Sequence, residues 1–463
     1  MACTLVTGFI TGCGGGEGTG DAGTGDAGMD AGWKAPFDPA VCGMQKYSWL
    51  DPAGMGAVKA VENVDLYSLD KDTIKTLLLQ YGYDFLVPQY GSMIYKFRYV
   101  TQDRGKPVEA TAMMAIPMLE KGQTLSAPSI LWVHGTCGYS DNCAASNSAE
   151  WTLPMVLMAS QGYIGVAPDY IGMNGMGDPS TVKHPYMVGE ATAIASLDAL
   201  RASPAVLNRL KSKVSQDLRY FIWGASQGGH ATLFTELYTP YYAPASFNLI
   251  GALALIPPAS LVAHAEAMMK KAYDLGTPLA AMYETGMARW YGYDGKLSDL
   301  FVTGPSNDFS KIVPEYMDSE CGFSFDAYGV KSQADLFSTQ FIDSVSAGSW
   351  ATSKPWYYCV TAENSIGLTS VKRKSSTPIY YVTAEKDELI PIEASRKAYD
   401  EMCAAGYSMN YLECKDALHT PGGLWSMPEQ FMWANDRLAG KPLSNPCVRT
   451  APVCCEASGD GCK

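Results

Sequence analysis

Short apolar runs recur along this chain and alternate with stretches whose small and apolar residues return at helical spacing. Residues 93–116, MIYKFRYVTQDRGKPVEATAMMAI, alternate around Asp103-Arg104-Gly105-Lys106 and predict two antiparallel strands joined by a turn. Residues 129–133 predict a short strand ending in His134-Gly135-Thr136, and residues 163–167 another ending in Pro168-Asp169-Tyr170. A helix is predicted over 187–202. It is followed by the apolar strand Tyr220-Phe221-Ile222-Trp223, the turn Gly224-Ala225-Ser226-Gln227-Gly228 and a further helix. Residues 249–256 predict a strand, after which a long segment lacks regular alternation. The strand 378–383, a helix over 393–405, the strand 409–414 and a helix over 429–438 complete the pattern. Strands alternating with helices predict an α/β fold, a mostly parallel sheet with helices on both faces.

Composition supports one large core: 47% of the 463 residues are hydrophobic and 17% charged. The net charge of −13 excludes nucleic acid as a partner, because phosphates require a face rich in Lys and Arg. Thirteen cysteines, several close in sequence, point to an oxidising compartment. A metal site is the alternative for the last four (Cys447, Cys454, Cys455, Cys462), although their spacing matches no usual zinc pattern. Residues 1–13 are apolar and end in Ile10-Thr11-Gly12-Cys13, similar to a bacterial lipobox whose cysteine becomes lipidated. Residues 14–34 are rich in Gly and Asp and read as an extended tether. An exported cell-envelope lipoprotein held through Cys13 is therefore expected. Plain secretion is the alternative, since no Lys or Arg precedes Lys34. If export removes the leader and Cys13 is acylated, eleven cysteines remain and at least one is unpaired.

The polar residues fall where strands end, and active sites of parallel sheets lie at the C-terminal strand ends. Gly224-Ala225-Ser226-Gln227-Gly228 is a G-x-S-x-G turn between a strand and a helix, the context that holds a serine clear of the sheet. Ser226 could alternatively be a helix N-cap. After residues 378–383 comes Ala384-Glu385-Lys386-Asp387-Glu388-Leu389-Ile390-Pro391, with Asp387 the expected acid and Glu385 and Glu388 its rivals. After residues 409–414 comes Lys415-Asp416-Ala417-Leu418-His419-Thr420-Pro421, where Asp416 lies too near His419 in sequence to reach the far side of its ring. The order Ser226, Asp387, His419 is that of α/β-hydrolases. Among the five histidines only His419 has the late position that a base requires. His230 is read as packing in the helix after the serine, His184 as fixing a loop and His264 as a surface residue. Asp169 is read as structural.

GASQGG, APDYIG with its following HPY, LWVHGT, AEKDELIP and LHT together resemble the secretory lipase family of α/β-hydrolases, over residues 95–440. That resemblance implies an α/β-hydrolase domain over 35–446, with a helical lid inserted at about 258–376; the Cys-rich tail 447–463 has no family counterpart. It implies a serine carboxylic-ester hydrolase, lipase or esterase, working through an acyl-enzyme on Ser226 and needing neither cofactor nor metal. The expected oxyanion donors are the backbone N–H of Gln227 and Thr136, with His134 supporting their loop. A Cys137–Cys143 disulfide is expected to stiffen that loop, unless both thiols are reduced. Tyr283, Trp290, Tyr291, Tyr293, Trp350, Trp356, Tyr357 and Tyr358 favour an apolar acyl or lipid ester if they face the site, and otherwise form the insertion's own core. The alternatives are an acyltransferase, a peptidase or amidase of the same fold, and a binding protein without catalysis.

Overall fold

The computed structural model describes residues 34–462. Cys13 and the stretch up to residue 33 lie outside the described residues, so the expected lipid anchor and most of the tether fall beyond them.

One sheet of nine strands organises the described chain, in the order β1-β2-β3-β5-β4-β6-β7-β8-β9. β1 (Val58–Asn63), β2 (Gly91–Asp103) and β3 (Lys106–Met118) form its antiparallel edge. The β2–β3 hairpin turns at Arg104 and Gly105, both at positive φ, the combination a tight two-residue hairpin needs. The parallel part comprises β4 (Leu125–Val133), β5 (Ile164–Pro168), β6 (Val214–Ala225), β7 (Asn248–Leu255), β8 (Ile379–Ala384) and β9 (Met409–Cys414).

Period-two alternation assigns each strand residue to a face. Ile130, Trp132, Phe221, Trp223, Leu253, Val382 and Leu412 pack in one cluster with α1 (Lys71–Gln80) and α2 (Ala149–Ser160). Leu131, Tyr220 and Ile222 face the other way, towards α3 (Gly189–Arg209). Ala252, Ala254 and Tyr381 lie on that same face, beside α4 (Gln227–Tyr242).

The stretch between β7 and β8 that lacks alternation is helical. It contains α5 (Leu261–Met268), α6 (Gly276–Tyr291), α7 (Phe309–Ser319), α8 (Gln333–Leu336), α9 (Thr339–Ser346), α10 (Trp350–Ser353) and α11 (Pro355–Glu363). Its aromatics are committed largely to a core cluster that it shares with β2, β3 and α3. Tyr283, Trp290, Tyr291, Trp350 and Tyr357 are buried there, while Tyr293, Trp356 and Tyr358 are partly covered against the same cluster. After β8 come α12 (Ile392–Ala404), then β9, α13 (His419–Trp425) and α14 (Met427–Leu438).

The cysteine pairing differs from the expected one. Cys143 bonds Cys321 in the insertion, and Cys137 is a free thiol, so no disulfide closes the 137–143 loop on itself. A local bridge would have stiffened one loop; the observed one fastens that loop to the insertion. Cys42–Cys359 joins the N-terminal segment to α11. Cys403–Cys447, Cys414–Cys455 and Cys454–Cys462 place all four tail cysteines in disulfides, which removes the metal alternative. The eleven described cysteines thus leave one unpaired.

Candidate active site

The serine turn is shaped by its glycines. Ser226 sits between β6 and α4 at φ 60 and ψ −121, a strained conformation for a residue with a side chain. A Cβ on Gly224 would stand 2.3 Å from the Val133 carbonyl oxygen, and one on Gly228 only 2.0 Å from the same atom. Side chains at either position would push the turn off the end of β4. The Ser226 N–H donates to the Leu255 carbonyl at 2.9 Å, which ties the turn to the neighbouring strand as well.

The structure brings Ser226, His419 and Asp387 together. His419 Nε2 lies 2.9 Å from Ser226 Oγ, and Nδ1 lies 2.9 and 3.0 Å from the two Asp387 oxygens. A carboxylate can only accept, so Nδ1 carries the proton and Nε2 is the acceptor facing the serine hydroxyl. Asp387 Oδ1 also accepts from the backbone N–H groups of Leu389 (2.9 Å) and Ile390 (2.8 Å). The His419 and Asp387 side chains are only 6% and 4% exposed, which keeps water from competing for these bonds.

The rival carboxylates have other partners. Glu388 accepts from the backbone N–H of His419, and Glu385 from that of Asp416, each at 2.8 Å. Asp416 pairs with Lys386 at 2.5 Å. The acid loop therefore holds the histidine loop through the imidazole, through backbone N–H groups and through the Lys386–Asp416 ion pair. Glu385 and Glu388, rivals of Asp387 by sequence, lie one and four residues beyond Ala384, the last residue of β8, a spacing that gives no sign of this clamp.

On the opposite side, β4 delivers His134-Gly135-Thr136. A Cβ on Gly135 would be 3.1 Å from the Ala225 carbonyl, so this loop runs against the serine turn. His134 Nδ1–H donates to the Gly135 carbonyl at 2.7 Å, and Tyr170 OH donates to the His134 carbonyl at 2.9 Å. Thr136 Oγ1 and Tyr186 OH share a hydrogen bond of 2.8 Å. Gln227 is the first residue of α4, so its backbone N–H has no acceptor within the helix. Its side-chain Nε2 donates to His184 Nε2 at 3.3 Å, and His184 Nδ1–H donates to the Ile171 carbonyl at 3.0 Å. Burial lowers the pKa of both His134 and His184 to about 4, which keeps them neutral and fixed as struts.

Two further expectations match. Asp169 is buried and accepts from Thr111 and Ser146, with burial raising its pKa to about 6. His230 bonds the Asn364 carbonyl at 2.8 Å. His264 differs: it is 3% exposed rather than on the surface, and its Nε2 lies 3.0 Å from the Leu389 carbonyl in the acid loop. Its surroundings, Leu261-Val262-Ala263 and Ala265, are the apolar signal of a covered helix.

Comparison with known proteins identifies relatives of this chain. The family model described as secretory lipase matches residues 139–291 and 306–446, more than half of the chain. Lipase 6 of Candida albicans is 25% identical over 333 residues, covering 67% of this chain and 65% of that protein, just under two thirds of its length. A secreted triacylglycerol lipase of Malassezia globosa is 25% identical over 427 residues, covering 86% of this chain and 80% of that one. Among solved structures, the rice cell wall degrading esterase LipA of Xanthomonas oryzae superimposes with a TM-score of 0.68 at 19% identity, over 84% of this chain and 100% of that one. Candida antarctica lipase A gives 0.58 at 16% identity, over 86% and 85%. These likenesses show the α/β-hydrolase fold.

Proposed function

The chain belongs to the secretory lipase family, and from that premise we propose that it is a serine carboxylic-ester hydrolase acting on lipid or other apolar acyl esters. The observation that carries the reading is the line from Ser226 Oγ through His419 to the Asp387 carboxylate, with every link at 2.9–3.0 Å. Ser226 attacks the ester carbonyl while His419 Nε2 takes its proton, and the same nitrogen returns a proton to the departing alcohol. Asp387 keeps the imidazole in the required tautomer and stabilises the imidazolium. Water then repeats the sequence on the acyl-enzyme and releases the acid. The backbone N–H of Gln227 and a donor from Thr136 receive the developing oxyanion, each lowering the barrier by about 2–4 kcal/mol.

Five disulfides among the described residues suit an exported protein in an oxidising compartment. The finer location, a cell-envelope lipoprotein tethered through acylated Cys13, rests on the lipobox-like Ile10-Thr11-Gly12-Cys13. Mass spectrometry of the exported chain tests it: a diacylglycerol adduct on Cys13 supports it, and an unmodified Cys13 in the mature protein excludes it.

The activity is tested by hydrolysis of p-nitrophenyl esters over an acyl-chain series, beside Ser226→Ala. Release of free acid by the wild type and its loss in the variant are expected. Unchanged activity in Ser226→Ala refutes the mechanism, and rapid cleavage of aminoacyl amides without ester hydrolysis selects the peptidase alternative.

A further inference from the structure

His264 belongs to α5, the first helix of the insertion, yet its side chain reaches out of that insertion to the acid loop. The ring is buried, and desolvation lowers its pKa to about 4, so it is neutral. Its partner at 3.0 Å is the Leu389 carbonyl, which can only accept, so the proton sits on Nε2. Nδ1 is then a bare acceptor without a hydrogen-bond partner, and the ring lies beside that of Tyr283, 5.8 Å between centroids. A leucine could fill such a position without burying an unpaired nitrogen, so packing alone does not account for an imidazole here.

The bond acquires its meaning from the peptide it reaches. The Leu389 carbonyl and the Ile390 N–H are the two ends of one planar peptide unit. The Ile390 N–H donates to Asp387 Oδ1 at 2.8 Å, and Asp387 in turn holds His419 Nδ1. A donor on the carbonyl side fixes the plane's tilt and polarises the N–H on its other side, so the two hydrogen bonds strengthen each other. The insertion meets the same carbonyl a second time: a Cβ built on Gly276, at the start of α6, would stand 3.2 Å from it.

We propose that His264 is a positioning residue for the reaction, acting through the Leu389–Ile390 peptide on Asp387 and thereby on His419. The inference rests on the reading of Ser226, His419 and Asp387 given above. The seating of the insertion then sets the orientation of the acid.

The test compares His264→Leu, His264→Gln and His264→Asn with p-nitrophenyl butyrate as substrate. A glutamine amide nitrogen occupies the position of imidazole Nε2 and can donate to Leu389, whereas an asparagine amide is too short. His264→Leu and His264→Asn are expected to lower kcat by roughly ten- to a hundredfold with KM within about twofold of wild type, the pattern of an interaction used in the transition state. His264→Gln is expected to recover kcat to within about threefold. Should the leucine variant fail to fold, the glutamine–asparagine pair decides alone, since both are polar and differ in reach. Wild-type kcat in the asparagine variant overturns the proposal, and so does an equal loss in glutamine and asparagine. Activity surviving in Ser226→Ala would instead refute the assignment of the site, an outcome separable from either of these.

Discussion

Gly228→Ala probes how closely the serine turn must sit against β4. The added Cβ would lie 2.0 Å from the Val133 carbonyl oxygen and 2.9 Å from that of His134. Both obstacles are backbone atoms at the end of a central strand, so no rotamer change relieves the contact. Reaching ordinary contact at 3.4 Å requires β4 and α4 to part by about 1.4 Å along that line. β4 leads into Thr136, and α4 begins at the residue after Ser226, so the movement separates the proposed oxyanion donor from the nucleophile. A misplacement of about 1 Å costs on the order of a hundredfold in rate, and overpacking of a dense core costs about 1–3 kcal/mol. The expected result is a kcat for p-nitrophenyl butyrate reduced about a hundredfold, with a Tm lowered by a few degrees in scanning calorimetry. Gly295→Ala, whose Cβ would meet nothing within 4 Å, serves as the control and stays at wild-type values. Wild-type kcat and Tm in Gly228→Ala would refute the reasoning, because the turn would then tolerate a side chain where the structure has no room for one.

Two other perturbations address the helical insertion. Replacing Cys42 and Cys359 by serine leaves Cys143–Cys321 in place and opens an unfolded-state loop of roughly 140 residues, a change of about 3–5 kcal/mol in the loop-entropy treatment; a Tm lower by several degrees is expected, and an unchanged Tm contradicts it. Glu284, buried in the insertion with Thr361 as its hydrogen-bond donor, has its pKa raised by desolvation from 4.5 to about 8. The folded chain holds this proton more tightly than the unfolded chain, so stability present below pH 4.5 is lost as pH rises through about 8. Glu284→Gln has no proton to lose, and its Tm relative to wild type should rise between pH 5 and pH 9; a constant difference would show that the carboxyl does not titrate in this window.

What was legible in the sequence was local. Gly224 and Gly228 announce the serine turn because a Cβ at either clashes with Val133, and Asp387 and His419 follow apolar strands whose ends are easy to place. β1 and α1 escaped. β1 is an edge strand with half-exposed residues and no clean alternation, whereas α1 carries signals that could have been used: the Asp70 cap and the buried pair Ile74 and Leu78. Cysteine pairing was beyond reach, because Cys143 finds its partner 178 residues away while Cys137, six residues distant, remains free. The burial of His264 is hidden from the sequence for a related reason. The carbonyl its ring reaches lies in the acid loop, more than a hundred residues later in the chain, and only the fold brings the two together. For the aromatics between 258 and 376 the sequence leaves a substrate surface and a core role both open; most of them are buried in the cluster that the insertion shares with β2, β3 and α3.

That Ser226 is the nucleophile is tested most directly by titration with diethyl p-nitrophenyl phosphate, a reagent that serine hydrolases attack but cannot quickly release. The expected result is about one p-nitrophenolate released per chain, loss of ester hydrolysis in step with it, and a diethylphosphoryl adduct found by peptide mass spectrometry on Ser226. Loss of activity without a burst, or an adduct on another residue while Ser226 stays unmodified, would contradict the assignment.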